Sequence, residues 1–184
     1  MESKTALLIL AEHAEELEVA SPIDVLRLCN VHVTVAGLAG EKPVKCARGM
    51  IVVPDKSLDD VKDKQFDVIV MPGGNQGSDL IAESIMVSEI LKLHDKRGGL
   101  IAGICGSPKA LLKSEIGFGK RITSYPLWKE LLSKDYKYSD DLVVQDGNLI
   151  TARGPAQALS WSIKIAENLV NGATIKATLE RMLI

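Results

Sequence analysis

The chain has 184 residues, of which 46% are hydrophobic and 25% are charged, a composition typical of one globular domain over residues 1–184. It excludes a disordered or collagen-like chain. The 22 Lys and Arg residues are balanced by 24 Asp and Glu residues and only 4% of the chain is aromatic, so nucleic acid is excluded as the principal ligand.

Apolar runs alternate with helical patterns along the chain. The runs at residues 6–10, 31–35, 68–71 and 100–104 predict buried parallel strands, and helices are predicted at residues 15–29, 84–96, 156–170 and from 173 to the end. Pro22 falls inside the first helical pattern, where a proline ends, restarts or kinks a helix. Residues 142–153 predict an antiparallel hairpin around Asp146-Gly147-Asn148. The fold class is therefore α/β, with a mostly parallel central sheet and a hairpin at its edge.

The N-terminal apolar stretch, residues 6–11, is too short for a membrane span or an export signal and runs directly into the acidic residues 12–18. We therefore predict no membrane insertion and a cytoplasmic location, with nuclear or mitochondrial pools left open. Cys29, Cys46 and Cys105 are an odd number of cysteines without a CxxC pair, which predicts reduced thiols and no metal site.

Cys105 lies where chemistry is expected in a parallel α/β fold. It follows a predicted strand, precedes the helical pattern from Pro108 and is flanked by small residues, in the manner of a nucleophile elbow. A helix N-terminus favours the thiolate, so this context predicts a reactive cysteine with a lowered pKa. An inert buried thiol is the alternative reading of Cys105 and the expected state of Cys29 and Cys46.

Other candidate residues follow the predicted strands. The turn Pro72-Gly73-Gly74, together with the Gly106 amide, is suited to binding an oxyanion. Glu15, Glu16 and Glu18 lie at the start of the first helix, where acidic side chains interact favourably with the helix dipole. One of these carboxyls is also a candidate for contact with a thiolate. Spacing does not choose among the three acids.

The remaining candidates are histidines and arginines. Only His13 lies near the expected crevice, because His32 is inside a strand and His94 is predicted on an exposed helix face. The lack of a histidine close to Cys105 in sequence argues against a cysteine peptidase. Two isolated arginines, Arg48 and Arg153, are candidates for binding a carboxylate or oxidised sulfur.

The chain resembles the DJ-1/PfpI superfamily, and within it the DJ-1 branch. The resemblance rests on motifs in the same order along nearly the whole chain. These are Ala6-Leu-Leu-Ile-Leu-Ala, Ala14-Glu-Glu-Leu-Glu18, Val35-Ala-Gly-Leu-Ala-Gly, Lys45-Cys46, Val53-Pro54-Asp55, Pro72-Gly-Gly-Asn, Gly99-Leu-Ile-Ala-Gly-Ile-Cys105, Ile116-Gly-Phe-Gly119 and Thr151-Ala-Arg-Gly-Pro155.

The resemblance implies a flavodoxin-like three-layer sandwich, a homodimer and a site without cofactor or metal, in which Cys105 is the nucleophile and Glu18 its protonated partner. Such proteins are described as glyoxalases of the glyoxalase III type that convert methylglyoxal to lactate, and as protein deglycases. In that chemistry Cys105 attacks the aldehyde, Glu18 moves a proton between adjacent carbons, and the amides of Gly74 and Gly106 stabilise the oxyanion.

The sequence departs from the family pattern at three places. Tyr125 stands where many relatives have the histidine of a Thr-x-His-Pro segment, and a phenol is a poor base at neutral pH. Residues 154–157 differ from the usual Gly-Pro-Gly-Thr, and His13 stands where relatives often have glycine. Either Tyr125 or His13 is a candidate replacement for the family histidine.

Three functions remain open at this point. The leading one is a detoxifying enzyme for a small aldehyde or dicarbonyl, and the alternative is a non-catalytic oxidative-stress sensor or redox-regulated chaperone that uses the same Cys105. The most remote is a cysteine peptidase or amidotransferase. Whether the C-terminal helix, residues 173–184, covers the site is also open.

Overall fold

The structure, a computed structural model, describes residues 3–184. Its strands are β1 (Thr5–Leu10), β2 (His32–Gly37), β3 (Val44–Lys45), β4 (Ile51–Val52), β5 (Lys56–Ser57), β6 (Val68–Met71), β7 (Leu100–Ile104), β8 (Arg121–Ile122), β9 (Lys137–Tyr138), β10 (Val143–Asp146) and β11 (Leu149–Ala152). Its α-helices are α1 (Glu16–Leu28), α2 (Leu58–Val61), α3 (Asn75–Glu83), α4 (Ile85–Lys96), α5 (Lys109–Lys113), α6 (Lys129–Leu132), α7 (Ala158–Leu169) and α8 (Gly172–Arg181), with short 3-10 turns at Pro126–Trp128 and Pro155–Gln157.

Seven strands form the central sheet in the order β10-β11-β7-β6-β1-β2-β5. All neighbouring pairs are parallel except β10 and β11, which form the antiparallel hairpin at one edge. The predicted mostly parallel sheet with an edge hairpin is therefore confirmed. Two further pairs, β3 with β4 and β8 with β9, lie outside this sheet.

Alternate residues of each buried strand face opposite sides of the sheet, as strand geometry requires. On β1, Leu8 and Leu10 join a core with Trp161 of α7, and this core also contains the apolar side of α1. Leu7 and Ile9 join a second core beneath α3, α4 and α5. Both faces of the sheet are thus covered by helices, which makes the fold a flavodoxin-like three-layer α/β sandwich.

Two details differ from the sequence-based expectation. α1 runs through Pro22 without ending or restarting. Pro22 is buried on the side of α1 that packs on the core, and this packing offsets the hydrogen bond that proline cannot donate to the Glu18 carbonyl.

His94 also differs from the expectation, because it does not lie on an exposed helix face. It is buried, and its Nε2 lies 2.9 Å from the Leu100 carbonyl oxygen. The ring packs directly on Gly99, where a Cβ would be 2.3 Å from the imidazole. None of the helices in the described part of the chain is long and apolar enough to cross a bilayer.

Candidate active site

Three segments meet at the carboxyl edge of the sheet. They follow β1, β6 and β7, which are neighbours, and they carry the start of α1, the turn Pro72-Gly73-Gly74, and Cys105 with Gly106. Parallel strands bring their carboxyl ends to one edge, where ligands bind in open α/β sheets. The topology therefore assembles most of the sequence-predicted candidates at one place.

Cys105 occupies a sharp turn directly after β7. Its φ of 61° is left-handed, a conformation that costs a residue with a side chain about 1–3 kcal/mol. The turn is fixed on both sides, because the Cys105 amide donates to the Ala152 carbonyl at 3.0 Å and its carbonyl accepts from the Tyr125 amide at 2.8 Å. The backbone amides of Gly74 and Gly106 lie near its sulfur and act to lower the pKa of the thiol. Cys105 is 8% exposed.

Glu18 is the acid that reaches Cys105. It is fully buried, and its Oε2 accepts a hydrogen bond from the Gly73 amide at 2.7 Å. Oε1 is buried and has no nitrogen or oxygen partner within residues 3–184, while the Cys105 thiol lies beside the carboxyl and interacts with it. Gly73 lies between the two side chains and leaves no room for a side chain of its own. A Cβ there would be 2.7 Å from Cys105 Cβ and 2.8 Å from Glu18 Oε2.

Burial determines the protonation of this pair. It raises the pKa of Glu18 to about 8, with a further contribution from the Glu15 charge, and the hydrogen bond from Gly73 only partly offsets it. Glu18 is therefore protonated at neutral pH. Burial, followed by the charge of Glu18, raises the pKa of the Cys105 thiol to about 12, although the Gly74 and Gly106 amides act in the opposite direction.

The pKa of the Cys105 thiol is raised, whereas the sequence context predicted that a helix N-terminus would lower it. α5 begins only at Lys109 and has five residues, so its terminus is remote and its dipole weak. The thiol is instead enclosed beside a carboxyl group. Because the two groups are in contact, loss of one proton opposes loss of the other.

The other two acids of the first turn have different partners. Glu15 caps α1 by accepting from the Glu18 amide at 3.1 Å, and its second oxygen accepts from Arg48 Nη1 at 3.0 Å. Glu16 accepts from the Arg48 amide at 2.5 Å. Arg48 thus lies at the border of the site with its side chain 71% exposed, bound to acids that flank Glu18.

Tyr125 and Arg153 lie on the other side of Cys105. The backbone amide of Tyr125 donates to the Cys105 carbonyl. The half-exposed Tyr125 ring packs on Gly154, where a Cβ would be 3.4 Å from Tyr125 Cδ2. The Arg153 guanidinium donates to the Asp140 carbonyl at 3.1 Å, so it is held at the loop before β10.

His13 is close to the site through its backbone. Its φ is 60°, its amide donates to the Lys45 carbonyl at 2.9 Å, and its carbonyl oxygen would lie 2.3 Å from a Cβ on Gly74. The imidazole is exposed. His13 therefore borders the glycine whose amide faces the Cys105 sulfur.

Sequence reasoning missed two buried residues beside the elbow. Ser107 is fully buried, and Lys109 is buried with its ammonium paired to Asp79 and 3.7 Å from the centre of the Trp128 ring. A lysine after proline at a helix start is typical of a solvated position, so no sequence signal marks its burial. For Ser107 the small-residue context of the elbow was a signal, but it does not reveal hydrogen-bond partners.

Within the described residues, no group of three or more His, Cys, Asp or Glu side chains is arranged to hold a metal ion.

Known proteins match this chain over nearly its full length. A family model described as the DJ-1/PfpI family matches residues 4–168. Protein dj-1beta of Drosophila melanogaster is 46% identical over 183 residues, covering 99% of this chain and 98% of its own. The crystal structure of that protein has a TM-score of 0.97, covering 100% of this chain and 99% of that chain, at 46% identity.

Two further relatives come from other animals. The Parkinson disease protein 7 homolog of Danio rerio is 44% identical over 187 residues, covering 100% of this chain and 98% of its own. A protein of Caenorhabditis elegans named glutathione-independent glyoxalase is 44% identical over 168 residues, covering 90% of this chain and 89% of its own.

Proposed function

Since this chain belongs to the DJ-1/PfpI family, we propose that it is a cofactor-free, cysteine-dependent enzyme acting on small reactive dicarbonyls. Conversion of methylglyoxal to lactate is the reaction proposed, and removal of early glycation adducts from proteins is a related one. The observation that carries the proposal is the buried contact of Glu18 with Cys105, which places a carboxyl that is protonated at neutral pH beside a thiol. The glyoxalase name of the Caenorhabditis elegans relative supports the choice of substrate.

The first step is formation of a hemithioacetal. The Cys105 sulfur bonds to the aldehyde carbon and releases its proton to solvent, while Glu18 donates its proton to the aldehyde oxygen. The amides of Gly74 and Gly106 stabilise negative charge as it develops in the elbow. Glu18 is then ionised and ready to act as a base.

The second step is proton transfer between adjacent carbons. Glu18 removes the hydrogen from the hemithioacetal carbon to give an enediol and returns it to the neighbouring carbon, while a hydroxyl proton moves between the two oxygens. The product is a thioester of the 2-hydroxy acid on Cys105. Hydrolysis by water releases lactate and restores the thiol, and the proton that the new acid loses returns to Glu18. Tyr125 and His13 are proposed as accessory donors or acceptors at the mouth of the site, and Arg48 and Arg153 as groups able to attract an acid product.

Loss of methylglyoxal and formation of lactate test this reaction. Cys105→Ser and Glu18→Gln are expected to abolish turnover, since the first removes the nucleophile and the second the titratable oxygen. The matched controls are Cys29→Ser, a buried cysteine in contact with Thr178, and Glu16→Gln, an acid of the same helical turn. Both controls should retain activity. Wild-type turnover in either site variant would refute the mechanism.

A redox sensor is the second candidate function. The Gly74 and Gly106 amides at the Cys105 sulfur, together with a protonated Glu18, are donors suited to the oxygens of a sulfinate. Titration with peroxide followed by intact mass and peptide mapping is expected to show two oxygens added at Cys105 before Cys29 or Cys46 reacts. Equal oxidation of the three cysteines would contradict sensing.

We also propose that the protein is a homodimer. Leu17, Ile51 and Val53 are 55%, 66% and 66% exposed, and they lie on the first turn of α1 and on the strand β4 and its exit. These segments are joined, because the Ala47 amide donates to the Ala14 carbonyl at 2.9 Å. A second copy is the partner expected for this apolar face. Sedimentation should give a dimer for the wild type and a monomer for Ile51→Asp, whereas a wild-type monomer would contradict the proposal.

A cytoplasmic location is proposed as well. Cys29, Cys46 and Cys105 are all unpaired and buried, as expected in a reducing compartment. Fractionation of cells that express the tagged full chain tests this, and recovery chiefly from the medium would contradict it.

A further inference from the structure

The buried hydroxyl of Ser107 lies between two strands of the central sheet at the base of the elbow. It accepts a hydrogen bond from the Ile104 amide at 2.8 Å and donates towards the Met71 carbonyl at 2.7 Å, with the Ile104 carbonyl at 2.9 Å. Ser107 is fully buried. The hydroxyl therefore connects the last residue of β7 with the last residue of β6.

This contact extends the β6–β7 ladder at the point where the chain leaves the sheet. Met71 pairs with Gly103 in the last backbone register, and the hydroxyl lies one position beyond that pair. Gly103 leaves room for it, since a Cβ there would be 3.1 Å from Ser107 Oγ. Ile104 is thereby held at the end of β7, and the chain turns at the next residue, the left-handed Cys105.

The same hydroxyl is linked to both reacting groups. Met71 is followed by Pro72 and Gly73, and the Gly73 amide holds the Glu18 carboxyl at 2.7 Å. Ile104 is followed by Cys105. A shift between the ends of β6 and β7 would therefore change the separation of the thiol from the carboxyl and from the Gly74 amide.

We propose that Ser107 is a positioning residue, whose hydroxyl keeps the ends of β6 and β7 in register and so holds Cys105 against Glu18 and the Gly74 and Gly106 amides. This role rests on the part of the proposed function that makes Cys105 the reactive thiol, but it requires no particular substrate. Ser107 does not contact the reacting atoms and acts through Ile104 and Met71.

The test measures alkylation of Cys105 by iodoacetamide as a function of pH, with peptide mapping to separate the cysteines. In Ser107→Ala the rate at neutral pH is expected to fall about tenfold, because the thiolate moves away from the Gly74 amide that favours it, while Glu18 is protonated at this pH and has no charge to remove. A rise of about one unit in the pKa of the thiol reduces the thiolate fraction about tenfold. The inflection that Glu18 imposes near its pKa of about 8 should disappear, because the carboxyl and the thiol separate. Ser107→Thr, which keeps the hydroxyl, should restore both the rate and the inflection.

Ser162→Ala is the matched control. Ser162 is also fully buried and donates its hydroxyl to a backbone carbonyl, that of Ala158 at 2.6 Å, but it lies on α7 and not at the elbow. Its loss of thermal stability should resemble that of Ser107→Ala, while the rate and pH profile of Cys105 alkylation stay at the wild-type values. Should Ser107→Ala fail to fold, Ser107→Gly removes the hydroxyl without adding a second thiol beside Cys105 and is expected to give the same slow alkylation.

The outcomes separate this inference from the proposed function. Wild-type alkylation rates and profile in folded Ser107→Ala or Ser107→Gly would overturn the positioning role, whatever the protein does to methylglyoxal. If the wild type does not consume methylglyoxal but Ser107→Ala slows alkylation as described, the dicarbonyl function fails and the positioning role stands.

Discussion

At the scale of single residues, Glu18 is the group whose environment most determines what the site can do. Enclosure at the start of α1 removes water from its carboxyl, and the single hydrogen bond from Gly73 does not replace that hydration. The protonated form is therefore favoured in the folded chain at neutral pH. A neutral carboxyl beside a thiol is able first to donate a proton and then to accept one, which a permanently ionised acid cannot do.

The raised pKa of Glu18 predicts that stability falls with rising pH. The folded chain keeps the proton up to about pH 8, whereas the unfolded chain loses it near the ordinary value of 4.5. Between these values the folded state binds more protons, so its free energy of unfolding decreases as pH increases. From pH 6 to pH 8.5 the wild type should lose roughly 2–3 kcal/mol relative to Glu18→Gln, which cannot ionise.

Urea unfolding of both proteins at the two pH values measures this difference. Glu16→Gln serves as a control because its hydrogen bonds lower the pKa of Glu16, so the variant should keep the pH dependence of the wild type. Parallel behaviour of wild type and Glu18→Gln would mean that Glu18 is ionised in the folded chain at neutral pH.

Gly73 predicts a steric limit at the same place. A Cβ there would lie 2.7 Å from Cys105 Cβ and 2.9 Å from the Ile104 carbonyl oxygen, and neither neighbour is the end of a flexible side chain. Gly73→Ala is expected to separate the thiol from the carboxyl, to lower the free energy of unfolding by about 1–3 kcal/mol and to abolish turnover.

Gly172 provides the control for this substitution, because a Cβ there meets nothing within 4 Å. Gly172→Ala should leave activity unchanged and stability at or above the wild-type value, since alanine favours the helix that begins there. Thermal unfolding and the methylglyoxal assay compare the two variants. Full activity in Gly73→Ala would show that the elbow tolerates a shift of this size.

At the scale of elements, Lys109 connects three pieces of chain around the elbow. It begins α5, pairs with Asp79 of α3 and lies over the ring of Trp128 in the 3-10 turn after Tyr125. Its side chain is 7% exposed, whereas that of Asp79 is 52% exposed. The ammonium therefore replaces much of its hydration with one carboxylate and one aromatic face.

Lys109→Met is expected to lower the free energy of unfolding by roughly 1–2 kcal/mol, because methionine fills much of the volume but loses the aromatic and ionic contacts. Lys62→Met is the control, since Lys62, directly after α2, forms an exposed pair with Asp59 at 2.8 Å, and its replacement should not measurably change the free energy of unfolding. Denaturant unfolding at low and high salt distinguishes the two. Equal effects of the two substitutions would mean that the contacts of Lys109 are no stronger than a surface pair.

The elements that the sequence predicts well are those whose signal is local. The apolar runs that became β1, β2, β6 and β7, and the Asp146-Gly147-Asn148 turn, follow from alternation and turn chemistry within a few residues. Cys105 was located for the same reason. Continuation of α1 through Pro22 and burial of His94 depend on packing against distant elements, which the pattern along one helix does not contain.

The candidate site shows the same division. Glu18 could not be separated from Glu15 and Glu16 by spacing, because the choice depends on which side chain points from α1 towards the turn after β6. The direction of the Cys105 pKa was predicted from a helix terminus and is wrong, because burial beside Glu18 outweighs a helix of five residues. Both results depend on contacts between segments more than fifty residues apart.

At the scale of the whole molecule, the two ends of α1 have different neighbours. Its first turn contributes Glu18 to the site, whereas its last turn ends at Cys29, whose thiol contacts Thr178 of α8 at 3.4 Å. Cys29 lies eleven positions after Glu18, which along a helix corresponds to roughly 16 Å. α8 packs with Ile175 and Met182 against the core on that side of the sheet. The contacts that anchor the C-terminal helix thus lie at the end of α1 remote from Cys105.

This arrangement predicts that α8 stabilises the fold without controlling access to the site. Ile175→Ala removes apolar contact between α8 and the core and should lower the free energy of unfolding by about 1–3 kcal/mol, since Ile175 is only partly buried. Alkylation of Cys105 in the same variant should keep the wild-type rate and pH profile, because the contact of α8 with Cys29 lies at the end of α1 opposite Glu18. A more than twofold change in that rate, with the protein still folded, would show that the C-terminal helix acts on the site after all. The remote anchor would then be coupled to Cys105 through α1, which has Glu18 in its first turn and Cys29 directly after its last residue.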